Sequence, residues 1–122
     1  MADTKKEKLT EILENLQKVG DIAESMVVSR DGLPIASNTE KTDVDTFAAM
    51  AAAMQGAAET AASELKQGNV EEIIIETEKG KIISTGAGDK AILVVRTQKA
   101  KNLGLVLIEI KKSAEKVGGI LK

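Results

Sequence analysis

Asp43 with Asp45, and Glu71 with Glu72, are the places where paired carboxylates could share a metal ion or divide acid and base work. Neither pair has a third ligand at a suitable spacing, and nothing around them implies the apolar setting that raises a carboxyl pKa. A helix cap and the start of a strand account for them. Ser84-Thr85-Gly86-Ala87-Gly88-Asp89 looks faintly like a phosphate-binding loop. It lacks the G-x-x-x-x-G-K-[ST] pattern and joins two apolar runs, whereas a phosphate cradle needs a strand entering a helix N-terminus, so it reads as a hairpin. Arg30-Asp31-Gly32 could be an exposed recognition loop or simply a structural turn; Arg30 is one of two arginines. Histidine and cysteine are both absent. With no nucleophile beside a base, the residues point away from an enzyme, and no metal or cofactor is expected.

The elements that would position these residues begin with one domain, 1–122, large enough to bury a core without staples. Seventeen basic and 19 acidic residues give a net charge of −2, with the signs interspersed and no basic stripe. Nucleic-acid binding therefore has no electrostatic basis. Phe47 is the single aromatic residue, which removes base-stacking platforms and aromatic cages. The N-terminus carries no apolar signal region, and no apolar run approaches the roughly 18 residues of a span. Membrane insertion is not expected, and the cysteine-free composition suits the cytoplasm.

Thr4 with Glu7 makes a capping box, and Leu9, Ile12, Leu13, Leu16 and Val19 follow at helical spacing until Gly20, which predicts a helix over 4–19. Asp31-Gly32 separates two apolar runs and predicts a β-hairpin of 23–29 and 33–37. Consecutive Met26, Val27 and Val28 suit a central strand covered on both faces, whereas Pro34 puts the second strand at an outer edge. Thr42 or Asp43 caps a helix over 42–67, ended by Gly68 and Asn69. Strands 71–77, 81–86 and 90–97 follow with tight turns at Gly80 and at Gly88-Asp89, an antiparallel meander. Leu103 to Ile108 could be a buried strand, but Leu103, Val106, Leu107, Ile110, Ala114 and Val117 keep helical spacing after Asn102 as N-cap. We read a final helix, stopped by Gly118-Gly119.

Helix 42–67 is the informative one. With Phe47 at the centre of one face, Met50, Ala51, Met54, Ala58, Ala61, Ala62 and Leu65 form an i, i+3, i+4, i+7 stripe expected to pack on the core; Met50 and Met54 read as core fillers, with a soft partner-binding patch as the alternative. The opposite face carries Ala49, Ala52, Ala53, Gly56, Thr60 and Ser63, where a solitary surface helix normally shows Lys and Glu. Small residues let a second backbone approach, and Gly56 costs about 1 kcal/mol of helix propensity relative to Ala. An Ala-rich helix chosen for propensity alone is the alternative.

The order α-β-β-α-β-β-β-α makes an α+β fold, one antiparallel sheet with helices on both faces. At this point Met26 to Ser37, Phe47 to Ala53, Gly88 to Val95 and Asn102-Leu103-Gly104 resemble the Roadblock (dynein light chain) family, whose bacterial and archaeal branch includes MglB-like regulators of small Ras-like GTPases. The hairpin Val28-Ser29-Arg30-Asp31-Gly32-Leu33-Pro34-Ile35-Ala36 followed by an Ala-rich helix is the most specific part. The resemblance implies a longin- or profilin-like fold with a five-stranded sheet of order 2-1-5-4-3, and the first and third helices on one face. It also implies dimers in which the third strands pair edge to edge and the second helices lie side by side.

On that reading Ala49, Ala52, Ala53, Gly56, Thr60, Ser63, Ile73 and Ile75 form a dimer interface, and Arg30, Asp31 and Glu59 are candidate partner contacts. The implied function is a non-catalytic homodimeric regulator or scaffold of a small Ras-like GTPase. An assembly subunit of a larger complex without a GTPase is the alternative. A profilin-like small-molecule sensor would need a polar cavity that the Ile, Val and Ala of these strands do not line.

Overall fold

The computed structural model describes residues 4–39, 42–98 and 103–122. Thr4 caps helix α1 (Lys5–Gln17), its hydroxyl accepting from the Glu7 amide at 3.1 Å, and Leu9, Leu13 and Leu16 are buried along one stripe. The helix ends two residues before the expected Val19, because Lys18 and Val19 close a turn onto Asn15 and Leu16. Strand β1 (Ile22–Ser29) lies inside the sheet, with Met26, Val27 and Val28 fully buried. Strand β2 (Pro34–Asn38) pairs with it through the Asp31-Gly32 turn and lies at an outer edge, as Pro34 requires.

Asp43 caps helix α2 (Val44–Glu64), its carboxylate accepting from the Asp45 and Thr46 amides. This helix closes three residues short of the expected end, Lys66 taking a left-handed φ of 56°. Strands β3 (Ile73–Thr77), β4 (Gly80–Ala87) and β5 (Ala91–Thr97) form the meander, with Glu71 and Glu72 just ahead of β3 rather than in it. The last segment is helix α3 (Leu103–Ile120); the expected cap at Asn102 lies outside the described residues. Nor does Gly118-Gly119 stop the helix at that point. Gly118 is small for a packing reason: a Cβ there would stand 3.0 Å from the Gly88 nitrogen, and Gly88, at φ 73°, would meet Gly118 in return. The β4–β5 turn and the end of α3 meet backbone to backbone.

All strand pairs are antiparallel, in the order β2-β1-β5-β4-β3. One face of the sheet, with Val27, Ile83, Leu93 and Val95, packs under α1 and α3. The other, with Met26, Val28 and Val94, packs under α2 through Phe47, Ala48 and Ala51. Helix α1 sits on β1 and β2, α3 on β4 and β5, and α2 crosses β1, β2, β4 and β5; none seats itself on β3. Among the described residues strand β3 is thus paired on one side and bare on its remaining edge.

Candidate partner-binding surface

Helix α2 meets the sheet through Phe47, Ala48, Ala51 and Gln55. That stripe lies about 60° round the helix from the one expected at 100° per residue. Three members of the expected core stripe, Met50, Ala61 and Leu65, face outward in consequence, Met50 60% exposed and Leu65 70%. None of them is a core filler. The correction has a physical cause, since an oblique helix sits closest to a sheet where its side chains are smallest, so Ala48 and Ala51 take the contact and Met50 is displaced to its flank. Gln55, polar and so outside the expected stripe, is buried and accepts a 2.8 Å hydrogen bond from Ser84. Its spacing, seven after Ala48 and four after Ala51, is the signal that could have found it.

Ala49, Ala53, Gly56, Thr60 and Ser63 all lie on the exposed side of α2, and a Cβ at Gly56 would meet nothing within 4 Å. Ala52 is half-buried, because Gly32, at φ 89°, brings the β1–β2 turn against Ala49 and Ala52. Across the helix, Phe47, Met50, Ala51, Met54, Ile75 and Ile82 line an apolar groove of about 450 Å³ between α2 and β3. Ile73 and Ile75 stand opposite Ser84 and Ile82, on the α2 side of the sheet, and Ile75 is 37% exposed. Small helix face, apolar groove and open strand edge are continuous.

Arg30 and Glu59, both candidate contacts, hold each other. One Arg30 nitrogen donates to both Glu59 carboxylate oxygens at 2.7 Å, and another donates to the Gly88 carbonyl at 3.0 Å. This guanidinium ties the β1–β2 turn to α2 and to the β4–β5 turn. Asp31 stays exposed at the turn. Arg96, the second arginine, donates to the buried carboxylate of Glu24 at 2.7 Å, where Thr39 and Thr42 also donate, Thr42 at 2.8 Å. Burial pushes the Glu24 pKa up, but the hydrogen bonds from Thr39, Thr42 and Arg96 and the arginine's charge outweigh it, and the net shift is downward. The cluster fastens the chain entering α2 to β1 and β5. Sequence spacing offered no sign of it, because Glu24 and Arg96 are 72 residues apart.

Among the described residues no group of three or more acidic side chains could hold a metal ion. Asp43 is a helix cap, and Ser84 to Ala87 lie in β4 ahead of the Gly88 turn, a strand running into a hairpin and not into a helix N-terminus. No described helix is long and apolar enough to cross a membrane.

A five-stranded antiparallel sheet of this order, with two helices on one face and one on the other, defines a profilin-like α+β fold. The chain belongs to the Roadblock/LC7 domain family, whose model matches residues 8–97. It is 45% identical over 107 residues to an uncharacterised protein of Methanocaldococcus jannaschii, covering 87% of this chain and 93% of the relative. Its fold is similar to that of Myxococcus xanthus MglB, with a TM-score of 0.88 at 23% identity over 99% of this chain and 92% of that one. It is equally similar to the gliding protein MglB of Thermus thermophilus, with a TM-score of 0.88 at 22% identity over 98% of this chain and 93% of that one.

Proposed function

We propose that this chain is a non-catalytic homodimer that binds a small Ras-like GTPase on its paired α2 helices. The observation that carries this reading is the continuity of the small-residue face of α2, the groove beside Met50 and Ile75, and the unpaired edge of β3. An open Ile73-Ile74-Ile75 edge invites aggregation unless something covers it. A second copy supplies the matching edge and brings a second α2 alongside the first. The two exposed helix faces then make one platform for the GTPase, and the family resemblance supplies the class of partner.

The mechanism is positional. An arginine finger acts by placing a free guanidinium at the transferring phosphate, and both guanidiniums here are bound by carboxylates of their own chain. Any acceleration of hydrolysis then comes from ordering the GTPase's own residues. The test is light scattering of the chain alone, followed by titration with a purified small Ras-like GTPase of the same organism, loaded with GDP or with a non-hydrolysable GTP analogue. A dimer that binds one nucleotide state more tightly is expected. A dimer that binds neither state overturns the GTPase reading and leaves the assembly subunit standing. In single-turnover hydrolysis, a large loss on Arg30→Ala would contradict the positional mechanism.

A further inference from the structure

Strand β4 outruns its neighbour. The Lys81 amide donates to the Thr97 hydroxyl at 3.2 Å, on the β5 side, so the amides of Gly80, Ile82, Ser84 and Gly86 point the other way, toward β3. Gly80, Ile82 and Ser84 stand opposite Thr77, Ile75 and Ile73 there. Strand β3 begins only at Ile73, and among the described residues no main-chain hydrogen bond joins Gly86 to Glu71, the next residue in register. The Thr85 hydroxyl crosses the gap instead, donating to the Glu71 carbonyl at 2.8 Å, with a 3.4 Å contact to the Gly86 carbonyl. The Gly86 amide has no partner among the described residues.

Beside this opening, between α3 and the chain entering β3, lies a groove of about 480 Å³ whose lining includes Gly86, Val70 and, on α3, Leu107 and Ile108. Ile108 is 54% exposed. Along α3 the lining runs from Leu107 to Glu115, a length of about 12 Å. Over that length an extended chain, about 4.8 by 10 Å in section, fills about 580 Å³, and a helix about 10 Å across fills about 940 Å³. The groove is therefore of strand size. Glu71, Glu72 and Glu115 line it against one cation, Lys111, and none of the four forms an ion pair among the described residues.

We propose that this groove holds an extended basic segment of a partner protein, which pairs its main chain with Gly86 and sets lysine or arginine side chains against Glu72 and Glu115. At about 3.3 Å per residue, about four residues of that segment lie in the groove. Main-chain pairing satisfies the Gly86 amide that β3 leaves open, and aliphatic side chains of the segment cover Val70, Leu107 and Ile108. Charge selects the occupant, since the same carboxylates disfavour an acidic peptide and an anionic lipid surface. The groove lies on the α3 side of the sheet, opposite α2, and it is complete in one protomer, so it requires neither a second copy nor a GTPase.

The probe is a capped hexapeptide of alternating Lys and Val, titrated into the isotope-labelled full chain while backbone amide resonances are followed by NMR, beside the same peptide with Glu for Lys. The Lys peptide is expected to saturate at one per chain, with its largest shifts at Gly86, Val70 to Glu72 and Leu107 to Glu115. Its affinity should fall by about tenfold or more in Glu72→Lys and in Glu115→Lys, both exposed positions, and stay within a factor of about three in Glu11→Lys, the same charge change on the exposed side of α1. Circular dichroism checks that each variant folds. Of two peptides methylated at alternate main-chain nitrogens, one should lose about tenfold and the other keep its affinity, because only one register presents its amides to Gly86. Absence of saturable binding, equal binding of the Glu peptide, shifts confined to other surfaces, full affinity in both folded glutamate variants, or equal affinity of the two methylated peptides overturns the proposal. None of these outcomes touches the α2 platform, and a monomeric chain that takes the Lys peptide upholds this inference while sinking the dimer.

Discussion

Replacing Met50 and Ile75 together with alanine removes two of the large apolar side chains that line the groove between α2 and β3. Full burial of such a side chain is worth about 1.5–3 kcal/mol. Met50 is 60% exposed and Ile75 37% in the single chain, so covering what remains contributes about 1–2 kcal/mol for the first and about 0.5–1 for the second. Two-fold symmetry counts each twice. The double substitution should therefore weaken the dimer by about 3–6 kcal/mol, or about two to four powers of ten in dissociation constant. Sedimentation equilibrium over a dilution series measures this directly, and circular dichroism checks that the protomer still folds. A dissociation constant within a factor of about three of the original would refute the argument, because it would mean that water, not a second copy, covers these side chains.

Gly56 gives a cleaner separation of protomer from dimer, since its surroundings are open. Gly56→Ala should raise protomer stability by up to about 1 kcal/mol in a denaturant melt, while Gly56→Leu should obstruct helix approach and shift light scattering toward monomer. Gly118→Val forces a branched side chain onto the Gly88 backbone and should cost about 1–3 kcal/mol, read as a fall of several degrees in Tm. For Glu24 the folded pKa lies below its ordinary value of 4.5, so the stability it contributes is present above about pH 4.5 and is lost as pH falls through the folded value. Urea midpoints of the wild type should therefore drop more steeply as pH falls below about 4.5 than those of Glu24→Gln.

Local signals carried most of the fold. The capping box at Thr4, the cap at Asp43, the Asp31-Gly32 turn and Pro34 each specify a neighbour a few residues away, and each element appears where those residues put it. The boundaries that slipped do so for two reasons: α1 and α2 end early at local turns, at Lys18 and at left-handed Lys66, whereas α3 runs on through Gly118 where Gly88 packs against it. The orientation of α2 was legible only to within about 60°. A helical wheel centres on the largest residue, here Phe47, whereas contact with a sheet is decided by the closest backbone approach. That preference placed Gln55 inside, where Ser84 satisfies its carbonyl, and Met50 outside. Ion pairs between distant segments, Arg30 with Glu59 and Arg96 with Glu24, left no trace in local pattern.

Widths are what support the proposed partner. A helix is about 10 Å across and a strand occupies about 4.8 Å, so one helix aligned with the strands covers about two of them. Two helices on the α1 and α3 face therefore cover four strands of five, and the fifth must be at an edge. Of the two edges, β2 lies under α1 and its Pro34 offers no amide for a further ladder. Strand β3 has neither protection: it begins with three isoleucines, and among the described residues no helix sits on it and no strand pairs its outer edge. Covering that strand with another helix of the same chain would hide one face and leave the edge open. In the proposed dimer a second strand would pair that edge, and arriving with its own α2 it would extend the helical layer in the same step. The short span of β3, five residues, limits how much the strand pairing alone can contribute. In the proposed dimer the α2 contact would therefore supply much of the stability, which makes Met50 the more sensitive place to test it.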